Sequence, residues 1–221
     1  MPFSLTNAPS TFQSLMNSIF QPYFEHFVLV FFDLILVYSK NWYSHLTYLQ
    51  QVFDVLKQHS LFVKLSKCAF GATKVEYLGH VISVGKVSMD SSKIIGVLDW
   101  PVPSLVKELR DFLGLTGYYR RFIHRYGLIV KPLIELLKKE AFQWTPTTQV
   151  AFDNLKQAMI SAPVFTLPNF TTEFIVEADA SQGGIWAVLT QKGKPVAYFS
   201  KALIICQALD FDRPDLCLIK L

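Results

Sequence analysis

The stretch FVLVFFDLILVYSK, residues 27–40, decides how this chain is read. Eleven of the twelve residues from Phe27 to Tyr38 are apolar or aromatic, and the exception, Asp33, stands in the middle. A helix crossing a bilayer needs about 20 apolar residues, and this run ends at Ser39-Lys40. It also lacks the basic start and small-residue cleavage site of a secretory signal. Val, Ile, Phe and Tyr suit the pleated, buried surface of strands, so the run predicts two short strands joined at Asp33-Leu34. A carboxylate buried on such strands is costly unless it is paired, protonated or metal-bound.

The rest of the composition narrows the class. With 221 residues the chain can bury one large core or two small ones. Half of it is apolar and its mean hydropathy is +0.30, which excludes a disordered chain. Cys68, Cys206 and Cys217 are odd in number and share no metal-ligand spacing. They predict a reduced, intracellular protein of the cytoplasm or nucleus, without a disulfide framework. The net charge of +4 is modest but uneven. Residues 101–140 hold eight Lys or Arg against four Asp or Glu, which accounts for the whole surplus. Such a surplus attracts phosphates, and it equally describes a solvated helix face.

Around the opening stretch the periodicity alternates between helix and strand. Phe12, Leu15, Met16, Ile19 and Phe20 recur at helical spacing behind Pro9 and a capping Ser10. His45–Leu61 predicts a second amphipathic helix, and residues 75–87 a hairpin around Ser83-Val84-Gly85. After the punctuation WPVP (100–103), Ser104 is expected to cap a long helix running to Ile123, with Gly127 as a stop and a further helix over Leu128–Lys139. Thr145 and Pro146 predict the start of another helix. Three strand-like runs follow, 173–180, 184–191 and 194–200, with Lys192-Gly193 as a short hairpin turn.

Two carboxylates share a context: Asp33, and Asp179 in FIVEADAS, each after a run of strand-forming residues. Taken alone, either reads as a turn or strand-end residue accepting from local backbone N–H groups. Rigid strands presenting aspartates are also how two-metal phosphoryl-transfer sites are built. The five histidines (26, 45, 59, 80 and 124) form no ligand spacing, and surface or packing roles are expected for them. Tyr118, Tyr119 and Trp186 read as core or groove-lining aromatics.

The surrounding motifs are longer and more specific. MPFSLTNAPSTFQSLMNSIF, VFFDLILVYS, KCAFGATKVEYLGHVIS and VKELRDFLGLTGYYRRFI resemble consecutive pieces of the reverse transcriptase palm and thumb in the pol polyprotein of gypsy-type LTR retrotransposons. FIVEADASQGGIWAVLTQKGKPVAYFSKAL resembles the start of the attached ribonuclease H domain. The likeness runs from residue 1 to about 205 in the family's order. It implies an α+β fold: a partial palm (1–89), thumb-like helices (90–140) and a partial ribonuclease H-like domain (141–221) with a three-strand antiparallel meander.

The resemblance also implies roles. Phe31-Phe32-Asp33-Leu34 occupies the aromatic-x-Asp-Asp motif, with Asp33 as the first aspartate and Leu34 in place of the second. Phe3 and Ser4 occupy the nucleotide pocket, where Ser4 replaces a glycine and with it a backbone freedom. Leu78, Gly79 and His80 match the hairpin that steadies the primer end. The thumb helix, with Arg120, Arg121 and Arg125, would track an RNA–DNA hybrid or template–primer duplex by shape and phosphate contacts. Asp179 takes the place of the first ribonuclease H aspartate, and Asp215 in Arg213-Pro214-Asp215-Leu216 that of the following glutamate, or is simply a surface residue. Mg²⁺ is the implied cofactor and dNTPs the implied substrates of intact members. The family's other polymerase aspartate would precede residue 1, and its last ribonuclease H carboxylates would follow Leu221. The chain by itself is therefore expected to be catalytically inactive. The alternative is a non-catalytic hybrid-binding remnant or a domesticated interaction module.

Overall fold

The computed structural model describes residues 7–24, 26–181 and 183–202. The chain divides after Tyr77 into two compact units.

In the first unit, helix α1 (Ala8–Phe20) precedes strands β1 (Val28–Phe31) and β2 (Leu34–Val37), helix α2 (Trp42–Gln58) and strand β3 (Lys74–Tyr77). The register of the β1–β2 hairpin pairs Phe31 with Leu34, so Phe32 and Asp33 form the turn, one residue earlier than expected. The core joins Met16 and Phe20 of α1, Phe27 and Val28 at the start of β1, and Val52, Val55 and Leu56 of α2. Phe27 lies flat on Tyr48, ring centroids 4.0 Å apart. The apolar run is not buried throughout. Leu29, Phe31 and Leu34 are each more than 40% exposed, because successive strand residues point to opposite faces and the helices cover one of them. Asn41 caps α2, its side chain accepting from Ser44 N–H at 2.8 Å. Helix α1 begins earlier than read: Asn7 is its cap position, and Ser10 lies inside the helix.

The second unit carries β4 (His80–Ser83), β5 (Lys86–Met89), α3 (Ser91–Leu98), α4 (Val106–Tyr118), α5 (Tyr126–Glu135) and α6 (Pro146–Ile160). Short strand β6 (Phe165–Thr166) and an antiparallel meander, β7 (Ile175–Ser181), β8 (Gly184–Gln191) and β9 (Lys194–Ala202), complete it. One core spans these helices. Leu109 and Phe112 of α4, Val130 and Leu133 of α5, and Phe152, Leu155 and Met159 of α6 meet Tyr119, Ile123 and Phe165 there. Each fully buried side chain of this size contributes about 1.5–3 kcal/mol. No helix among the described residues is long and apolar enough to cross a membrane.

The helical pattern over 105–123 does not make one helix: α4 ends at Tyr118 and a 3₁₀ turn, Arg120–Phe122, follows. Gly114 and Gly117 weaken its last turns, and the buried Thr116 hydroxyl bonds back to the Phe112 carbonyl at 3.0 Å. Ser104 does not cap α4; its N–H and hydroxyl both donate to Glu108. Gly127 is no stop but a buried residue in the first turn of α5. A Cβ there would lie 2.9 Å from Ala202 N, so the missing side chain lets β9 approach the helix. Thr145 does start α6, in a capping box with Thr148. Lys192 and Gly193 turn β8 into β9 with φ of +51° and +72°, as a tight hairpin requires.

Candidate functional site

Asp33 stands at the tip of a hairpin and is exposed. Its position depends on Phe32, whose φ of +50° is unfavourable for an aromatic residue. Gln13 of α1 supplies the compensation: its Oε1 accepts from the Phe32 N–H, and its Nε2 donates to Asn17 at 2.7 Å. Phe31 and Phe32 pack edge to face at 4.6 Å beside the turn. Gln13 is absent from the sequence reading. Its signal is a polar residue on the stripe of Met16 and Phe20, three and seven positions on. Phe3 and Ser4 lie outside the described residues.

A second cluster lies around Leu78-Gly79-His80. Leu78 and Gly79 take φ of +51° and +72°. Consecutive tyrosines at the end of α4 hold both carbonyls: Tyr118 Oη donates to Leu78 O at 2.7 Å and Tyr119 Oη to Gly79 O at 2.9 Å. The approach is so close that a Cβ on Gly79 would sit 2.7 Å from the Tyr119 hydroxyl. His80 stacks on Tyr118 at 5.3 Å and meets Phe122 at 5.5 Å. Its Nδ1 is buried without a hydrogen-bond partner among the described residues. Burial pushes the His80 pKa down, which keeps the ring neutral among its aromatic neighbours. Burial first, then the Tyr118 and Asp90 charges, push the Tyr119 hydroxyl up to about 12, so it remains a donor. Tyr119 is thus a core aromatic, as expected, but its hydroxyl and that of Tyr118 have a second task that residue type did not reveal.

Arg120 and Arg121 follow directly and are exposed, with no ion pair among the described residues. Arg125 differs from them. It has φ of +54° at the start of α5, and its guanidinium lies over the Trp186 ring, 4.8 Å from the centroid. The His124 ring meets the edge or face of Trp186 at 4.8 Å and of Tyr198 at 5.3 Å. Trp186 lies opposite Asp179 in the β7–β8 register, and its Nε1–H donates to Asp179 Oδ2 at 3.0 Å. Strand alternation places Glu177 on the same face as Asp179. The structure therefore brings together Arg125 and Asp179, which the sequence placed in separate roles, and joins them through His124 and Trp186, which it left as packing residues. Asp215 lies outside the described residues.

Reverse transcriptases and RNase H-like enzymes generally use divalent metal ions, and the donor set here can be tested for that use. Asp33 offers one carboxylate at a turn. Asp179 offers another, already engaged by an indole N–H, with Glu177 beside it. No group of three or more His, Cys, Asp or Glu among the described residues is arranged to hold a metal ion. The described residues do not make a two-metal site.

Comparison with known proteins agrees with this architecture. Residues 1–82 match the reverse transcriptase (RNA-dependent DNA polymerase) family, and residues 144–207 the RNase H-like domain found in reverse transcriptase. The chain is 38% identical over 205 residues to the Retrovirus-related Pol polyprotein from transposon 297 of Drosophila melanogaster, covering 92% of this chain and 19% of that protein. It is 35% identical over 229 residues to the Transposon Tf2-3 polyprotein of Schizosaccharomyces pombe, covering 100% of this chain and 17% of that relative. The chain thus spans less than a fifth of the length of either relative. The foamy viral protease-reverse transcriptase solved with dsDNA has the same fold, with a TM-score of 0.82 at 24% identity over 94% of this chain and 44% of that one. The same enzyme solved with RNA/DNA hybrid gives 0.81 at 23% identity, over 94% of this chain and 29% of that one. Two family matches in succession, on a fold shared with a viral reverse transcriptase, identify the chain as retrotransposon Pol polyprotein sequence carrying reverse transcriptase and RNase H-like regions.

Proposed function

We propose that this chain binds an RNA–DNA hybrid or template–primer duplex and by itself does no chemistry on it. The observation that carries the reading is the fastening of the Leu78–Gly79 turn to Tyr118 and Tyr119, with the exposed cations Arg120 and Arg121 following at once. A fastened turn and adjacent exposed guanidiniums suit a phosphate backbone, which is contacted for position and not for sequence. The foamy viral neighbours, solved with dsDNA and with RNA/DNA hybrid, support duplex as the ligand class.

In this reading residues 1–89 act as the palm part, 90–140 as the thumb part and 141–221 as the RNase H-like part. Asp33 and Asp179 stand where each centre's first Mg²⁺ ligand would be, Asp215 where the next RNase H-like carboxylate would be, and Phe3 and Ser4 in the dNTP pocket. The lone carboxylates support inactivity, because a two-metal centre needs several oxygen ligands to clamp the attacking and leaving groups.

Fluorescence anisotropy with a labelled hybrid tests the binding. Affinity is expected to fall steeply between about 50 and 200 mM salt. Arg120→Ala and Arg121→Ala are each expected to weaken it and to flatten the salt slope by about one. Salt-independent or undetectable binding overturns the proposal. Primer extension with Mg²⁺ or Mn²⁺ tests the second half: incorporation that disappears on Asp33→Asn would refute inactivity.

A further inference from the structure

We propose that Trp186 weakens the hold of Asp179 on divalent cations, its indole N–H occupying one of the two carboxylate oxygens. The inference rests on the reading of Asp179 as the RNase H-like metal carboxylate. It begins from the misfit described above. Asp179 sits where such a ligand is expected, yet its Oδ2 accepts the Trp186 Nε1–H at 3.0 Å.

This contact is built into the sheet. Asp179 and Trp186 are directly opposed in the register, so the indole reaches the carboxylate without leaving its own strand. An indole N–H is a donor only and has no use for a cation as neighbour. The ring is also held from other sides. His124 packs on it at 4.8 Å and the Arg125 guanidinium lies over it at 4.8 Å. Swinging the indole away to admit a metal ion would forfeit both contacts. Any ion arriving at Asp179 would also approach the fixed positive charge of Arg125.

The arrangement performs part of the electrostatic task of a cation. Glu177 and Asp179 place two negative charges on one face of β7, and strand spacing keeps them near each other. The indole N–H and the guanidinium behind it offset that charge with groups belonging to the chain. His124 adds no second cation, because burial and then the Arg125 charge push its pKa down. The charge of the two carboxylates is thus offset only in part from within the chain, by one guanidinium and one N–H dipole.

Mn²⁺ titration followed by water-proton relaxation tests this on the full chain. The set is the wild type, Trp186→Phe, Asp179→Asn and the double variant. Trp186→Phe keeps an aromatic ring for Arg125 and His124 but removes the N–H. It is expected to bind Mn²⁺ about tenfold tighter than the wild type, the equivalent of losing one charged hydrogen bond. That gain should vanish in the double variant. Equal Mn²⁺ affinity of the wild type and Trp186→Phe, with Asp179→Asn weakening both, overturns the proposal and leaves Asp179 a metal ligand. If Asp179→Asn changes neither background, Asp179 is no ligand, and the underlying reading falls together with the proposal.

A measurement on the wild type guards against a variant that does not fold. The indole N–H resonance of Trp186 is one of only four in the chain, and Asp179→Asn should shift it. Added Mn²⁺ should leave it sharp until the other exposed carboxylates are saturated. Broadening at the first additions of Mn²⁺ would overturn the proposal.

Discussion

Asp33 and Asp179 look alike in the sequence, and the structure holds them in opposite ways. Asp33 rides on a two-residue turn whose unfavourable backbone is stabilised by one side chain from a neighbouring helix, Gln13. Its own carboxylate makes no hydrogen bond among the described residues. Asp179 lies within a paired strand, and its carboxylate is tied to Trp186 and through it to the start of α5. The first aspartate is positioned through its backbone and left open. The second, also exposed, is positioned through its side chain and has one oxygen engaged. A carboxylate after an apolar run is thus one sequence signal for two chemical states: Asp33 depends on Gln13, 20 positions before it, and Asp179 on Trp186, seven positions after it and backed by residues about 55 positions away.

Breaking the engaged site should cost most. Gly127→Val puts side-chain atoms where Ala202 and Lys201 backbone atoms lie, 2.9–3.3 Å from an added Cβ. The α5–β9 contact must open, and so must the Gly127 N–H bond to Ser200 Oγ at 2.7 Å. A loss of about 3 kcal/mol is expected in urea unfolding, with faster amide exchange across β7–β9.

Gly79→Ala attacks the tyrosine-held turn, combining a φ of +72° with a contact 2.7 Å from the Tyr119 hydroxyl. It should cost about 2 kcal/mol and weaken hybrid binding together with stability, whereas Arg121→Ala weakens binding alone.

The open site should be the cheapest to disturb. Gln13→Ala leaves the exposed Phe32 N–H to water, so a loss of about 1 kcal/mol is expected, with exchange accelerated at the hairpin tip. A loss as large as that of Gly127→Val would mean that Asp33 is held as firmly as Asp179.

The smallest effect is a titration. With its pKa pushed up to about 12, Tyr119 stays protonated in the fold after unfolded tyrosine, at 10.0, has ionised. Its stabilisation is fully present below pH 10 and is lost as pH rises toward 12. Ultraviolet difference titration of the wild type against Tyr119→Phe checks this: the variant should lack one late-ionising phenol.

The legible and illegible parts of the chain separate along physical lines. Hydrophobic period found α1, α2, α6 and the three-strand meander, because burial on one face imposes spacing of 3.6 or 2 on any sequence. Turn chemistry found Lys192-Gly193 and Thr145-Pro146, where the backbone itself demands those residue types. It failed at Gly127, since a glycine that ends a helix and a glycine that admits a strand look identical until the strand's position is known. It failed at 105–123 because Gly114, Thr116 and Gly117 weaken a helix whose apolar stripe continues past its end. Resemblance, and not spacing, singles out Asp33, Asp179 and the Leu78–His80 turn as candidates. Their partners escape such a reading for different reasons: the Tyr118 bond spans 40 positions, the polar Gln13 on the stripe of α1 names no acceptor or donor by itself, and Trp186 faces Asp179 only once the hairpin register is known.

The two tyrosine bonds have a further consequence, for the order in which the chain folds. Each links residues 40 positions apart. Helix α4 can form from contacts within its own turns in well under a millisecond, whereas Leu78 and Gly79 reach its end only once the intervening loop has closed. Loop closure carries an entropic cost that local structure does not repay. The turn that would steady a duplex therefore sets after α4 itself, and mutations at Tyr118 should speed unfolding while leaving the folding rate nearly unchanged.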